Sequence, residues 1–205
     1  EVATGAVTTL AGSGTDGSAD GVGGTAQFYY PSGGVISPDG SALFVSDFGN
    51  HKIRRVEVAT GAVTTVAGSG TEGSADGVGG AAQFYYPNDI TISPDGSALF
   101  VTDSANHKIR RVEVATGAVT TLAGSGEEGE EGDEDSVGGE AQFSAPHGVT
   151  ISPDGSALFV TDSANHKIRR VEVATGAVTT LAGSDEEGDE DGVGGAAQFT
   201  VPSGV

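Results

Sequence analysis

The sequence predicts an all-β protein built from a repeated unit, and two observations carry this prediction. The string EVATGAVTT begins at Glu1 and returns at Glu57, Glu113 and Glu172, so that successive units start 56, 56 and 59 residues apart. Self-similarity at this period is typical of arrays in which a unit buries its apolar face only against a neighbour. Within each unit, short runs of β-branched and aromatic residues alternate with Gly, Pro, Asp and Asn, which is the pattern of strands and turns.

Each unit contains four predicted strands, and the third unit shows them most clearly. Residues 148–151 form the first strand and lead into the turn SPDG at 152–155, where Pro fixes φ and Gly accepts a positive φ. The next strands are predicted at 157–161, 167–173 and 177–182, with breaks between them. Four short antiparallel strands joined by such turns are typical of a β-propeller blade rather than of a helical repeat.

The units also carry a family resemblance. Each LFV(S/T)D strand is followed by the sequence Asn-His-Lys-Ile-Arg, at 50–54, 106–110 and 165–169. This resembles the NHL repeat, whose name records the Asn and His, and the LAGSG and DG-x-GG-x-AQF stretches resemble the secreted, glycine-rich branch of that family. The resemblance covers the whole chain and implies an all-β β-propeller of four-stranded antiparallel NHL-type blades.

We expect three complete blades and a partial blade at each end. The complete blades are predicted at 27–68, 83–124 and 142–183, residues 1–12 as the outer strand of a preceding blade, and residues 196–205 as the start of a following one. Acidic, Gly-rich connections are predicted at 13–26, 69–82, 125–141 and 184–195. Because the two end pieces lack the middle strands of a blade, and closed propellers need about four to eight blades, we expect a longer chain or an assembly of chains.

Composition excludes several classes of protein. There is no cysteine, which excludes disulfides, thiolate metal sites and a cysteine nucleophile. The net charge is -20, and the nine basic residues all belong to three copies of one hexapeptide. The electrostatic field of a protein with this negative charge repels phosphate backbones and anionic membrane surfaces, so we expect no nucleic-acid partner. No apolar run is long enough to span a bilayer, so no membrane insertion is predicted.

The connections differ between copies in their acidic residues. The first two carry a pair each, Asp16 with Asp20 and Glu72 with Asp76, whereas the last two are far richer. The richer loops hold Glu127, Glu128, Glu130, Glu131, Asp133, Glu134 and Asp135, and then Asp185, Glu186, Glu187, Asp189, Glu190 and Asp191.

These acidic loops have two interpretations. Oxygen-rich, glycine-interrupted loops suit Ca²⁺, a hard cation that takes six to eight oxygen ligands, and the candidate ligands are Asp133, Asp135, Asp189 and Asp191. However, the spacing fits neither an EF-hand nor a calcium-binding nonapeptide repeat. The sequence therefore favours solvated loops that keep the protein soluble and its strand edges apart.

Histidines and strand-end carboxylates are the remaining candidates for chemistry. His51, His107 and His166 recur at one turn position, which favours a role in blade architecture, such as a turn or capping hydrogen bond. Only His147 breaks the repeat, and it is a candidate for a metal or general-base role if other ligands join it. The recurring strand-end carboxylates are predicted to accept backbone N–H bonds; these are Asp47, Asp103 and Asp162.

Two tyrosine pairs also break the repeat. Tyr29 and Tyr30 lie near the start of the first predicted blade, and Tyr85 and Tyr86 near the start of the second. A structural role at the start of each blade is favoured. The alternative is an exposed surface that stacks on sugars, since a tyrosine pairs an apolar face with a polar tip.

The favoured function is a non-catalytic structural or protein-interaction repeat module, as part of an extracellular or cell-surface array or filament. Its expected partners are copies of itself or neighbouring repeats. No catalytic residue and no cofactor is predicted. One alternative is a propeller that binds a glycan, a small ligand or Ca²⁺ on one face. The other is a metal-dependent lyase or hydrolase at a propeller channel, which requires metal partners for His147.

Overall fold

The computed structural model describes residues 5–126 and 132–205, and this part of the chain is all-β, as predicted. Residues 1–4 of the predicted N-terminal strand lie outside the described residues. So do four carboxylates of the third acidic connection, Glu127, Glu128, Glu130 and Glu131. Among the described residues, no helix has the length and apolar character needed to cross a membrane.

In the described part of the chain, the strands form three separate antiparallel sheets. The first contains β1 (Gly21–Val22), β2 (Pro31–Ile36), β3 (Ala42–Asp47), β4 (Lys52–Glu57) and β5 (Ala62–Ala67) in the order β1-β5-β4-β3-β2. The second contains β6 (Gly77–Val78), β7 (Pro87–Ile92), β8 (Ala98–Asp103), β9 (Lys108–Glu113) and β10 (Ala118–Ala123) in the order β6-β10-β9-β8-β7. The third contains β11 (Pro146–Ile151), β12 (Ala157–Asp162), β13 (Lys167–Glu172) and β14 (Val178–Ala182) in the order of the chain.

Two short outer strands lie within segments that the sequence predicts to be connections between blades. In β1, Gly21 and Val22 pair with Val63 and Ala62, and β6 repeats this pairing with β10. Val22 is already extended, with φ -111° and ψ 128°, so its backbone can add to the outer strand. Each of these connections is therefore fastened to the sheet that follows it.

Turn chemistry explains how β2 reverses into β3. The Ser37 hydroxyl donates to the Asp39 carboxylate at 2.6 Å, and the Gly40 N–H donates to the Ser37 carbonyl at 2.8 Å. Gly40 has a φ of +73°, which a glycine adopts without steric cost. The other two SPDG turns repeat this arrangement, as the sequence predicts.

The sheets pack face to face, and the innermost strands β2, β7 and β11 lie side by side. We call the face of a sheet toward the preceding repeat its leading face, and the opposite one its trailing face. Phe44 on the trailing face of the first sheet lies in one apolar cluster with Ile92, Leu99 and Val101 on the leading face of the second. The second and third sheets repeat this junction through Phe100.

The two leading faces differ in burial although their residues correspond. Ile92 of the second sheet is 8% exposed, whereas Ile36 of the first sheet is 50% exposed. A cavity of about 270 Å³ lies against this part of the first sheet, between Leu10, Phe28 and Leu43. Among residues 5–126 and 132–205, no other sheet covers the leading face of the first sheet, which is therefore an uncovered half of a junction.

Candidate functional site

A buried arginine organises each repeat. In the first, Arg54 is fully buried, and its Nη1 and Nη2 donate to Asp47 at 2.6 Å and to Asp20 at 2.8 Å. Its guanidinium carbon lies 5.2 Å from the centre of the Phe28 ring, a cation–π distance. The equivalent sets are Arg110 with Asp103, Asp76 and Phe84, and Arg169 with Asp162, Asp135 and Phe143.

The strand-end carboxylates are structural, as predicted. Asp103 is fully buried and accepts the backbone N–H of Tyr85 at 2.7 Å, the Asn106 amide at 2.8 Å and Arg110 at 2.6 Å. Burial raises the pKa of Asp103, while these bonds to the ionised carboxylate oppose the rise. Asp47 and Asp162 accept the corresponding backbone N–H groups, so the prediction is confirmed in all three repeats.

The three repeated histidines link one repeat to the next. Each has a positive φ of 54–57° at the end of a short 3-10 turn. The Nδ1 atom of His107 accepts the backbone N–H of Ala145 at 3.0 Å, and His51 and His166 do the same for Tyr86 and Val201 at 3.2 Å. Because Nδ1 accepts, the ring proton sits on Nε2. The architectural interpretation of these histidines is confirmed.

His147 uses its Nδ1 atom in the opposite sense, as a hydrogen-bond donor. It lies near the start of the inner strand β11, and its Nδ1 is 2.9 Å from the carbonyl oxygen of Ser203. A carbonyl only accepts, so Nδ1 of His147 carries a proton and acts as the donor. On the neighbouring inner strands, the Ser32 hydroxyl donates to Asn88 at 2.9 Å.

Sequence reasoning missed Asp89 on the inner strand β7. Its carboxylate accepts the backbone N–H of Ile90 and that of Val149 on β11, each at 2.9 Å, so it ties two inner strands together. The signal was present in the sequence, because the corresponding residues of the neighbouring copies are Gly33 and Gly148.

The candidate calcium ligands lie in two different environments. Asp133 forms an ion pair with Lys167, and Asp135 pairs with Arg169 at 2.8 Å. The hydrogen bond from Lys167 lowers the pKa of Asp133. Asp189 and Asp191 are exposed. Within residues 5–126 and 132–205, no group of three or more His, Asp or Glu side chains is arranged to hold a metal ion.

Lys167 therefore joins two acidic connections to the third sheet. It is 8% exposed, and its Nζ also bonds to Asp185 at 2.6 Å. The earlier copies have Ser18 and Ser74 in place of Asp133. Two of the additional carboxylates, Asp133 and Asp185, thus pair with Lys167 of the same chain. Calcium binding by the acidic loops stays a prediction.

Aromatic side chains mark the junction of the first and second sheets. The rings of Phe48 and Tyr86 stack 4.6 Å apart at an interplanar angle of 14°, and those of Tyr85 and Tyr86 lie 4.8 Å apart. Tyr29 and Tyr30 are 4.7 Å apart. The Gly49 N–H donates to the Tyr29 carbonyl at 2.8 Å, and a Cβ at Gly49 would collide with the Tyr29 ring. We call Tyr29, Tyr30, Phe48, Tyr85 and Tyr86 the aromatic row.

The other junctions use hydroxyl groups where this one has Phe48. Ser104 donates to the Pro146 carbonyl at 2.6 Å, and Ser163 donates to the Pro202 carbonyl at 2.5 Å. The residues equivalent to Tyr86 are Ala145 and Val201, which keep the same positive φ. The stack of Phe48, Tyr85 and Tyr86 is thus a feature of one junction, set on a backbone that all three share.

Comparison with known proteins identifies the repeat. The sequence profile of the teneurin NHL domain matches residues 5–201. The chloroplastic protein SUPPRESSOR OF QUENCHING 1 of Arabidopsis thaliana is 34% identical over 97% of this chain, and human NHL repeat-containing protein 2 is 33% identical over 76%. The chain spans 20% and 22% of the length of these two relatives.

Solved structures agree on the fold. The crystal structure of an auxiliary nutrient binding protein from Bacteroides ovatus superposes with a TM-score of 0.67 at 19% identity. The match covers 87% of this chain and 43% of that protein. With the profile match and the repeated Asn-His-Lys-Ile-Arg turn, these comparisons show that this chain belongs to the NHL-repeat family of β-propeller proteins.

Proposed function

We propose that this chain is a non-catalytic protein-interaction module whose sheets pack onto further repeats of the same kind. The observation that carries the proposal is the uncovered leading face of the first sheet. Ile36 is half exposed and Leu43 is half-buried there, whereas Ile92 and Leu99 at the same positions of the second sheet are buried against the first. The junction between the first and second sheets therefore shows which partner fits this face: the trailing face of another repeat.

The trailing face of the third sheet supports the same proposal. Phe159 is only half-buried, while Phe44 and Phe100 at the same position are 1% exposed. The two ends of the stack thus carry complementary halves of a junction that the chain makes twice in its interior. Head-to-tail contacts between such halves extend into an array or filament when they do not close into a ring.

The hydrogen bonds made by the repeated polar residues favour a structural role for them. Arg54, Asp47 and Asn50 bond to one another or to the preceding connection, and His51 bonds to the next repeat. The same bonds recur in the second and third repeats. Side chains that hold identical repeats together supply rigidity, and interactions are then added on the surface that they support.

We place the array outside the cell or at its surface. This location rests on the resemblance of the acidic, Gly-rich connections to secreted NHL repeats. Antibody labelling of intact and of permeabilised cells tests it. Labelling of intact cells is expected, and labelling that requires permeabilisation would contradict the location.

Electron microscopy of the protein purified from its source tests the array itself. We expect repeating density along an axis, with a neighbouring repeat seated over Ile36 and Leu43. A discrete closed ring with a ligand in its channel beside His147 would contradict the proposal, and would favour the small-ligand or lyase alternative.

A further inference from the structure

The aromatic row is not needed to close a junction between repeats. At the second junction, the Ser104 hydroxyl bonds to the Pro146 carbonyl, and the histidine bond to the next repeat is 3.0 Å long. At the first junction, that histidine bond is 3.2 Å long, and an aromatic stack occupies the place of the hydroxyl bond. The junction between two repeats therefore forms with or without aromatic rings. The rings are thus available for another function.

The row is also partly open to solvent. Tyr29 and Tyr86 are each 37% exposed, and Tyr30 is 70% exposed. Tyr30 lies at the edge of the uncovered leading face, where a preceding repeat would pack. Phe48, Tyr85 and Tyr86 lie instead at a junction that is complete, so their exposure does not depend on a missing neighbour.

The electrostatic surroundings of the row are acidic. The chain carries a net charge of -20. Burial lowers the pKa of His51, which touches both Tyr85 and Tyr86, and the nearby carboxylate of Glu72 opposes that shift. The backbone of Asp16 pairs with that of Phe28, immediately before Tyr29, and Asp16 and Tyr30 line the same surface pocket. Anionic ligands are repelled from such a surface, and cationic ones are attracted.

From the exposed rings and the acidic surroundings, we propose that the aromatic row binds a cationic peptide segment. Arginine or lysine side chains stack on Tyr85 and Tyr86, and the carboxylate of Glu72 balances their charge. The chain contains this type of contact in its own interior, where the Arg54 guanidinium lies over Phe28 and pairs with Asp20. The proposal goes beyond packing of repeats and does not depend on it.

Tyrosine fluorescence provides a direct readout. The chain has four tyrosines and no tryptophan, and all four tyrosines belong to the aromatic row. The probe is a synthetic peptide with two arginines separated by glycines, compared with the same peptide carrying citrulline, which is uncharged. We expect the arginine peptide to change the tyrosine emission in a saturable manner, with an affinity that falls as salt is added.

Three substitutions test the site without removing the junction. Phe48→Ser, Tyr85→Ser and Tyr86→Ala together reproduce Ser104, Ser144 and Ala145 of the second junction. We expect affinity, measured by calorimetry, to fall about two- to fivefold for each of the two tyrosine rings removed, because each removal loses one exposed cation–π contact. Glu72→Gln should also weaken binding and reduce its dependence on salt.

The controls separate this proposal from its competitors. Val78→Ser replaces a side chain that is 59% exposed and outside the row, and it should leave affinity unchanged. Thermal melting verifies that each variant is folded. Equal binding by the triple variant, equal binding of the citrulline peptide, or no binding at all would each overturn the proposal. A neutral maltohexaose that perturbs the tyrosines while the arginine peptide does not would assign the row to glycans instead.

Discussion

Within the residues that the structure describes, the second sheet is flanked by a sheet on both sides and the first sheet on one side only, yet both use almost the same residues. Arg54 and Arg110 are equally buried in the two sheets, at 0% exposure. Ile36 and Ile92 differ sixfold in exposure, 50% against 8%. The comparison separates the stability that a repeat derives from its own contacts from the stability that it gains by packing against a neighbour. The predictions test one contribution or the other.

The largest effect is expected from the buried arginines, and it should be the same in both sheets. Arg54→Met and Arg110→Met each leave one buried carboxylate, Asp47 or Asp103, without its cation, which costs about 3–5 kcal/mol of unfolding free energy. Urea denaturation measures this loss. Arg111→Met is the matched control, because the Arg111 side chain is 39% exposed, and it should change stability by less than about 0.5 kcal/mol. Unequal losses for Arg54 and Arg110 would show that the network depends on neighbours.

The second-largest loss of stability is expected from substitutions on the leading faces, and it should differ between the first and second sheets. Ile92→Ala opens a cavity in the cluster shared with Phe44, and we expect a loss of about 2–4 kcal/mol. Ile36→Ala removes a half-exposed side chain and should cost less than about 1 kcal/mol. Denaturation of the two variants under one condition gives the comparison, and similar losses would contradict the account.

The histidine bond between repeats predicts a dependence on pH. Burial lowers the pKa of His51 below its usual 6.5, so the folded state favours the neutral ring that accepts the Tyr86 N–H. This contribution is present above pH 6.5 and is lost as the pH falls, because the unfolded chain then binds more protons. We expect it to be about 1 kcal/mol, the net value of one hydrogen bond.

A variant isolates this histidine. In His51→Gln, the stability change between pH 8 and pH 5.5 should be smaller than in the unsubstituted chain. His147→Gln is the control, since its Nδ1 donates to a carbonyl and does not accept from the backbone. An unchanged pH profile in His51→Gln would contradict the assigned role.

The smallest effect is expected at the acidic connections. Asp133→Asn removes a partly exposed ion pair with Lys167 and should cost about 0–1 kcal/mol. Because the pKa of Asp133 is lowered from 3.8, its contribution is present above pH 3.8 and is lost as the pH falls through the folded-state pKa. Asp189→Asn, at an exposed carboxylate, should leave stability unchanged. A larger loss for Asp189→Asn than for Asp133→Asn would contradict these roles.

Local patterns predicted the strands and turns, since SPDG and the β-branched runs act over a few residues. The strand-end carboxylate Asp103 was also predictable from its position. Long-range pairs could not be predicted. Lys167 pairs with Asp133, and Arg54 pairs with Asp20, and each pair is separated by 34 residues of sequence. The spacing of charges along a chain does not show which of them the sheet brings together.

The division between intrinsic and neighbour-derived stability has a direct test. A second copy of residues 1–56 placed ahead of Glu1 continues the repeat in register, because residue 57 begins the same EVATGAVTT string. We predict a higher melting temperature and slower amide hydrogen exchange in β2 and β3 as the new sheet covers the leading face. Ile36→Glu in the original copy should abolish the gain. An extended chain that melts at the same temperature, with β2 and β3 exchanging as before, would contradict the account.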